Sequence, residues 1–137
     1  MTLKNPGYAV ETAVSVEEFR SLLIDSGLGA RRPIDDVARL EAMIRHANLV
    51  VTARIDGVLV GVARSVTDYA FCCYLSDLAV SKSAQGKGIG AQLIEETRNR
   101  LGPEVSLILN SVPESVGFYE GINMPALPNC FWHRRER

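Results

Sequence analysis

Apolar and polar residues along this chain change period several times, and each change marks an element. Residues 8–12 alternate weakly and predict a first strand. Ser15, Val16, Glu17 and Glu18 then fit a capping box, in which the serine hydroxyl and the Glu18 carboxylate satisfy orphan amides at a helix start. Val16, Phe19, Leu22 and Leu23 recur at helical spacing, and Gly27 is a natural stop. A second helix follows Pro33, with Val37, Leu40 and Ile44 on one face. Asp35 and Asp36 in its first turn, and Arg45 and His46 in its last, match the helix dipole at both ends.

The middle of the chain reads differently. Residues 49–55 are rich in β-branched side chains, and Asp56-Gly57 is a two-residue hairpin signal before a run over 58–66. A third run, 71–80, is long enough to cross a sheet, so 49–80 predicts an antiparallel meander of three strands. A glycine-rich stretch over 81–90 leads into a helix reaching about Leu101, with Ile89, Leu93, Ile94 and Leu101 on one face and Gly102-Pro103 as its end. A short buried strand over 105–110, a short helix over 114–120 and a last strand over 130–135 complete the chain. The order is β-α-α-β-β-β-α-β-α-β. It predicts an α/β (α+β) fold with one mixed, mostly antiparallel twisted sheet and helices on both faces.

Composition narrows the partners. With 137 residues and neither repeat nor linker, residues 1–137 read as one domain. A net charge of −1 gives no basic excess for nucleic acid or an anionic membrane. The one basic run, His133, Arg134, Arg135 and Arg137, reads as a solvated tail or edge strand. No apolar run approaches the roughly 18 residues of a membrane span, and residues 1–6 lack the apolar heart of a signal peptide. The expected location is the cytoplasm. Cys72, Cys73 and Cys130 cannot all pair and match no zinc spacing, and His46 and His133 stand alone. They read as small apolar side chains in a reducing compartment, with no metal site.

The candidate chemistry lies in Gln85, Gly86, Lys87, Gly88, Ile89 and Gly90, between a strand end and a helix start. Glycines there let the backbone turn sharply and approach a ligand, and the free N–H groups of the helix start add positive potential. From the glycines alone, the loop either cradles a phosphate or is a tight turn that holds nothing. It is not a Walker A loop, because Lys87 is followed by Gly88 and not by Ser or Thr. The spacing G-x-G-x-x-A of Gly86 to Ala91 matches a dinucleotide fingerprint, but no acidic residue ends the next strand and too little chain follows.

Gln85, Gly88 and Gly90 as Q-x-x-G-x-G, preceded by Leu75 to Val80 and followed by Asn110 and Phe118-Tyr119-Glu120, resemble the motifs of the GNAT superfamily of N-acetyltransferases in their order. Arg31-Arg32-Pro33 and the Asp56-Gly57 hairpin also fit, so the resemblance covers nearly the whole chain. One departure is Asn123-Met124, where the family has a glycine before a large residue. Asparagine tolerates the left-handed backbone best after glycine. The proline-rich stretch over 125–129 leaves the last hairpin open.

The resemblance implies a GNAT-like fold whose fourth and fifth strands splay to admit acetyl-CoA. Main-chain groups of Leu78, Ala79 and Val80 would then pair with its pantetheine arm. The amides of Gln85 to Gly90 would take its pyrophosphate, with Lys87 adding charge to a phosphate or facing solvent. Asn110 would bond the cofactor or cap the strand end. The implied reaction is attack by a primary amine of a small molecule or peptide on the thioester. An alkyl amine is neutral only about once in 10³ molecules at pH 7, so a carboxylate or ordered water must take its proton. Asp77 is the first candidate base and Glu120 the weaker one; a polar residue on the strand's other face is the plain alternative for Asp77. Tyr119 stands where the family places the phenol that protonates the leaving thiolate, though an aromatic core role is the plain alternative. The other function left open is a non-catalytic acyl-CoA-binding domain. Arg31, Arg32 and Arg64 hint at a carboxylate-bearing acceptor, and capping or solvation explains them as well. Edge strands at the C-terminus could pair into a homodimer.

Overall fold

The computed structural model describes residues 4–137. β2 (Leu49–Ile55), β3 (Val58–Thr67) and β4 (Cys72–Val80) form the expected antiparallel meander. Asp56 and Gly57 turn it with φ of 51° and 79°, the paired positive dihedrals of a type I′ hairpin. β1 (Gly7–Val10) pairs antiparallel with β2, and β5 (Ser106–Ile108) pairs parallel with β4. The sheet has five strands in the order β1-β2-β3-β4-β5.

Helices cover both faces. α1 (Val16–Ser26) begins with the complete Ser15–Glu18 capping box and ends at Gly27, φ 89°. α2 (Val37–His46) starts just after its acidic pair and does not hold it in the first turn, because Asp36 is the cap and accepts from the Arg39 N–H. These two helices bury Phe19, Leu22, Leu23 and Leu40 against Val62 and Ala79. On the opposite face, α3 (Ile89–Leu101) buries Ile89, Leu93 and Ile94 against Val51, Ala63 and Leu75. Each such side chain, fully buried, contributes about 1.5–3 kcal/mol. Among the described residues no helix is long and apolar enough to cross a membrane.

Two irregularities of β4 shape the cleft beside it. Its register on β3 steps from Leu75 opposite Ser65 to Asp77 opposite Arg64, so Ser76 is an extra residue, a β-bulge. Before the bulge, Cys73 and Leu75 face α3; beyond it Leu78 and Val80 do, and Ala79 turns toward α1 and α2. The second irregularity is a fork. β4 pairs with β5 only through Cys72, Cys73 and Tyr74, and residues 75–80 continue along β3 alone.

The C-terminal third departs from expectation. β5 holds three residues where the run 105–110 suggested six, because its partner diverges after Tyr74. Residues 130–135 form no strand. Pro125 and Pro128 each lack an N–H and fix φ, which opposes a hairpin there, and Phe131 and Trp132 remain exposed. The short helix expected over 114–120 is a single 3₁₀ turn, Pro113–Ser115, followed by α4 (Val116–Gly121). Asn123 does take the left-handed backbone, φ 61°, its N–H donating to Glu120 O at 3.0 Å.

Candidate active site

The glycine loop joins a 3₁₀ turn, Lys82–Ala84, to α3. Gly86 and Gly88 lie at φ 77° and 81°, a region that L side chains rarely adopt, and a Cβ at either would meet nothing within 4 Å. The space over the loop is therefore open. Gly88 is the N-cap of α3 and no side chain caps it. The first main-chain bond of the helix runs from the Gln92 N–H to Gly88 O, so the N–H groups of Ile89, Gly90 and Ala91 stand uncapped beside that space. Uncapped N–H groups and a helix dipole suit an anion.

Other members of the hexapeptide do different work. The Gln85 carboxamide donates to Val80 O at 2.8 Å and to Ser26 O at 3.3 Å, pinning the loop to the ends of β4 and α1. It also occupies the Val80 carbonyl expected to face pantetheine. Lys87 folds back, its Nζ donating to Ser83 O at 3.0 Å. The Ile89 side chain is in the core, leaving only its main chain for a ligand. A Cβ on Gly90 would come within 3.0 Å of the Phe118 ring, so this glycine serves the packing of α4 on α3.

Beyond the fork lies a cavity of about 40 Å³, lined by Leu78 on β4, by Leu109 and Asn110 past β5, and by Arg32, Ser76 and Tyr119 among others. Ala79, by contrast, is buried toward α1 and α2, so only its main chain can border the fork. Tyr119 packs edge-on against Phe118, ring centroids 5.0 Å apart. Burial pushes its phenol above the usual tyrosine range, and the positive charge of Arg32 opposes that shift. The group is thus a neutral O–H at neutral pH, available to donate.

Asp77 departs from the expected base. Its side chain is fully buried, accepts from Arg32 Nε at 2.5 Å through one oxygen and from Arg64 Nε through the other. Arg32 also donates to Ser76 O and Arg31 O, and Arg64 to Ser76 Oγ and Met43 O. Both carboxylate oxygens are therefore committed to guanidinium groups, on the face of β4 that the bulge turns toward α1 and α2. Glu120 is exposed and does not line the cavity. The arginine pairing spans 45 positions in sequence, so no local spacing announces it. Among the described residues no cluster of His, Cys, Asp and Glu could hold a metal ion.

A larger open groove of about 1080 Å³ runs along the outer edge of β5 and the flank of α3, past Ile122 and Met124. It touches the glycine loop only at Gly88, and Tyr119 does not line it.

A family model described as the acetyltransferase (GNAT) domain matches residues 27–123, well over half the chain. Solved structures agree in fold. A GNAT family acetyltransferase, SP0256 of Streptococcus pneumoniae, is 23% identical, with 96% of this chain and 99% of that one covered at a TM-score of 0.72. Protein SA2161 of meticillin-resistant Staphylococcus aureus gives 20% identity, 96% and 99% coverage and a TM-score of 0.77. The aminoglycoside N-acetyltransferase AAC(6')-Iy, solved in complex with CoA, gives 16% identity over the full length of both chains and a TM-score of 0.68.

Proposed function

The chain belongs to the GNAT acetyltransferase family, and from that premise we propose that it transfers an acetyl group from acetyl-CoA to a primary amine of a small molecule or peptide by direct attack. The observation that carries this reading is the alignment of the β4–β5 fork with the uncapped start of α3. Residues 75–80 offer main-chain groups with no β5 partner to an amide-containing arm, and the loop from Gly86 to Ala91 offers N–H groups to a diphosphate. That fits CoA at both ends. The complex of AAC(6')-Iy with CoA supports the choice.

Bound acetyl-CoA would supply a thioester carbonyl for the amine to attack and a thiolate as the leaving group. The chain's part is to place and protonate. Leu78 and the free stretch of β4 hold the arm, Asn110 bonds it from the other side of the fork, and Tyr119 donates its phenolic proton to the departing thiolate. Asp77 is reassigned from base to positioning residue, fixing Arg32 at the cavity. Among the described residues no carboxylate lines the cavity, so the amine's proton leaves to water.

The test pairs calorimetry with thiol release. Acetyl-CoA should bind, and some member of an amine and peptide panel should liberate free thiol. Binding without thiol from any acceptor would leave the family's fold serving as a non-catalytic acyl-CoA binder.

Free thiols at Cys72, Cys73 and Cys130 favour a reducing, cytoplasmic setting. We also assign a homodimer, in which the segment after Met124 pairs along the open β5 edge of a second copy. Phe131 at 93% and Trp132 at 63% exposure leave apolar surface that such pairing would cover. Sedimentation should show a dimer that Trp132→Ser weakens; a monomer at every concentration would refute the assignment.

A further inference from the structure

We propose that the acceptor carries a carboxylate beside its amine and that Arg32 receives it; this rests on the acetyl-transfer reading above. The three arginines that stood equal in the sequence part company in the structure. Arg31 is exposed and bound to Glu114 at 2.7 Å on the surface. Arg64 is buried, with its N–H groups on Asp77, Met43 O and Ser76 Oγ. Of the three only Arg32 lines the cavity beside Tyr119, and among the described residues it is the one charged side chain that does so.

Its surroundings leave it both charge and donors to offer. Two guanidinium groups, Arg32 and Arg64, meet a single carboxylate, Asp77, so the cluster carries one excess positive charge. Of the five N–H groups of Arg32, Nε donates to Asp77, one hydrogen of Nη1 to Arg31 O and one of Nη2 to Ser76 O. One N–H on each terminal nitrogen has no partner among the described residues and can donate to a carboxylate. The side chain is only 20% exposed, so water screens this charge less than it would on the surface. Its three bonds hold the guanidinium in place before a ligand arrives.

The same charge selects against other amines. A polycationic acceptor would bring further positive charge toward Arg32 with no acid in the cavity lining to receive it. An amino acid instead sets its carboxylate on Arg32, while the nearby positive charge favours the neutral, attacking form of its amine.

Matched pairs decide the matter: α-, β- and γ-amino acids against their own methyl esters, with thiol release from acetyl-CoA as the readout. At least one free acid should exceed its ester in kcat/KM by about 10- to 100-fold, the worth of a charge-assisted hydrogen-bonded contact. Arg32→Gln should erase that preference while leaving acetyl-CoA affinity in place, and Arg32→Lys should keep part of it. Esters equal to or better than acids in the native chain would overturn the proposal, even if Arg32→Gln fails to fold. If acetyl-CoA binds but no amine releases thiol, the transfer reading falls by itself. Titration of the amino acids into the CoA-loaded protein then decides: binding lost in Arg32→Gln upholds the anion site, and no binding sinks it.

Discussion

Tyr119 and Gly88 test the two halves of the site separately. Tyr119→Phe removes one hydroxyl from a ring whose packing on Phe118 is otherwise kept. Turnover should fall by about 10²–10⁴-fold, the usual contribution of an acid–base group, with acetyl-CoA affinity in calorimetry nearly unchanged. Gly88→Asp does the converse, placing a strained left-handed residue and a negative charge where the uncapped N–H groups converge. Cofactor affinity should drop by at least about tenfold, and an unaltered calorimetric isotherm would remove the loop from the binding site. At this scale the sequence spoke clearly where chemistry is local. The loop glycines are contiguous, so their spacing marks a turn able to hold a phosphate, while Tyr119 is singled out by the resemblance of Phe118-Tyr119-Glu120 to the family motif. Asp77 was misleading for a physical reason: the face taken by a strand residue depends on every register step before it, and the bulge at Ser76 reverses that parity. No residue type in the run Leu75 to Val80 signals a bulge.

Among the elements, α3 is the one whose seat matters most, because its first turn is also the proposed anion site. It rests on β3 at Gly61, where a Cβ would lie 3.0 Å from Leu93 Cδ1, 3.2 Å from Ile89 Cγ2 and 3.3 Å from Ala53 Cβ. All three neighbours belong to the packed core and have little room to yield. Gly61→Val should therefore lift the helix, costing about 1–3 kcal/mol of stability by overpacking, and should weaken acetyl-CoA binding through the displaced Ile89. A melting temperature equal to that of the native chain would show that the interface is looser than its distances indicate. Elements with their own signals were legible: the capping box, the Asp56-Gly57 turn and the alternation of the meander all announce themselves within a few residues. β5 was not, since its length is set by how far β4 stays beside it, and that is a property of two strands together. The last strand failed for a related reason, because an apolar run such as Cys130 to Trp132 extends only if some edge accepts it.

Across the whole molecule, one ion network ties the N-terminal strand and helix to the sheet. Arg54 Nε donates to Glu11 at 2.9 Å and Nη1 to Glu18 at 2.6 Å, linking β2 to the segment after β1 and to the first turn of α1. Arg54 hydrogen bonds are the main cause that lowers both carboxyls from the ordinary glutamate value of 4.5. Depressed acids contribute stability that is fully present above their unfolded value and is lost as pH falls through the folded one. The melting temperature should thus stay level from neutral pH to about 5 and decline below about 4.5. Arg54→Met should lower it at pH 7 by a few degrees and flatten the acid decline. High salt should shrink the difference, because Glu18 is 36% exposed.

The fork has a bearing on how the protein breathes. Along residues 75–80, main-chain hydrogens that point toward β5 have no partner in that strand, while those that point toward β3 are held in the ladder. Deuterium should accordingly enter the fork-facing positions of this strand, which alternate only beyond the bulge from Asp77 to Val80, and leave the β3-facing ones dark. A guest that lies down in the slit closes the rapid set without touching the slow one, so occupancy would be written into a single strand as the loss of its fork-facing signals.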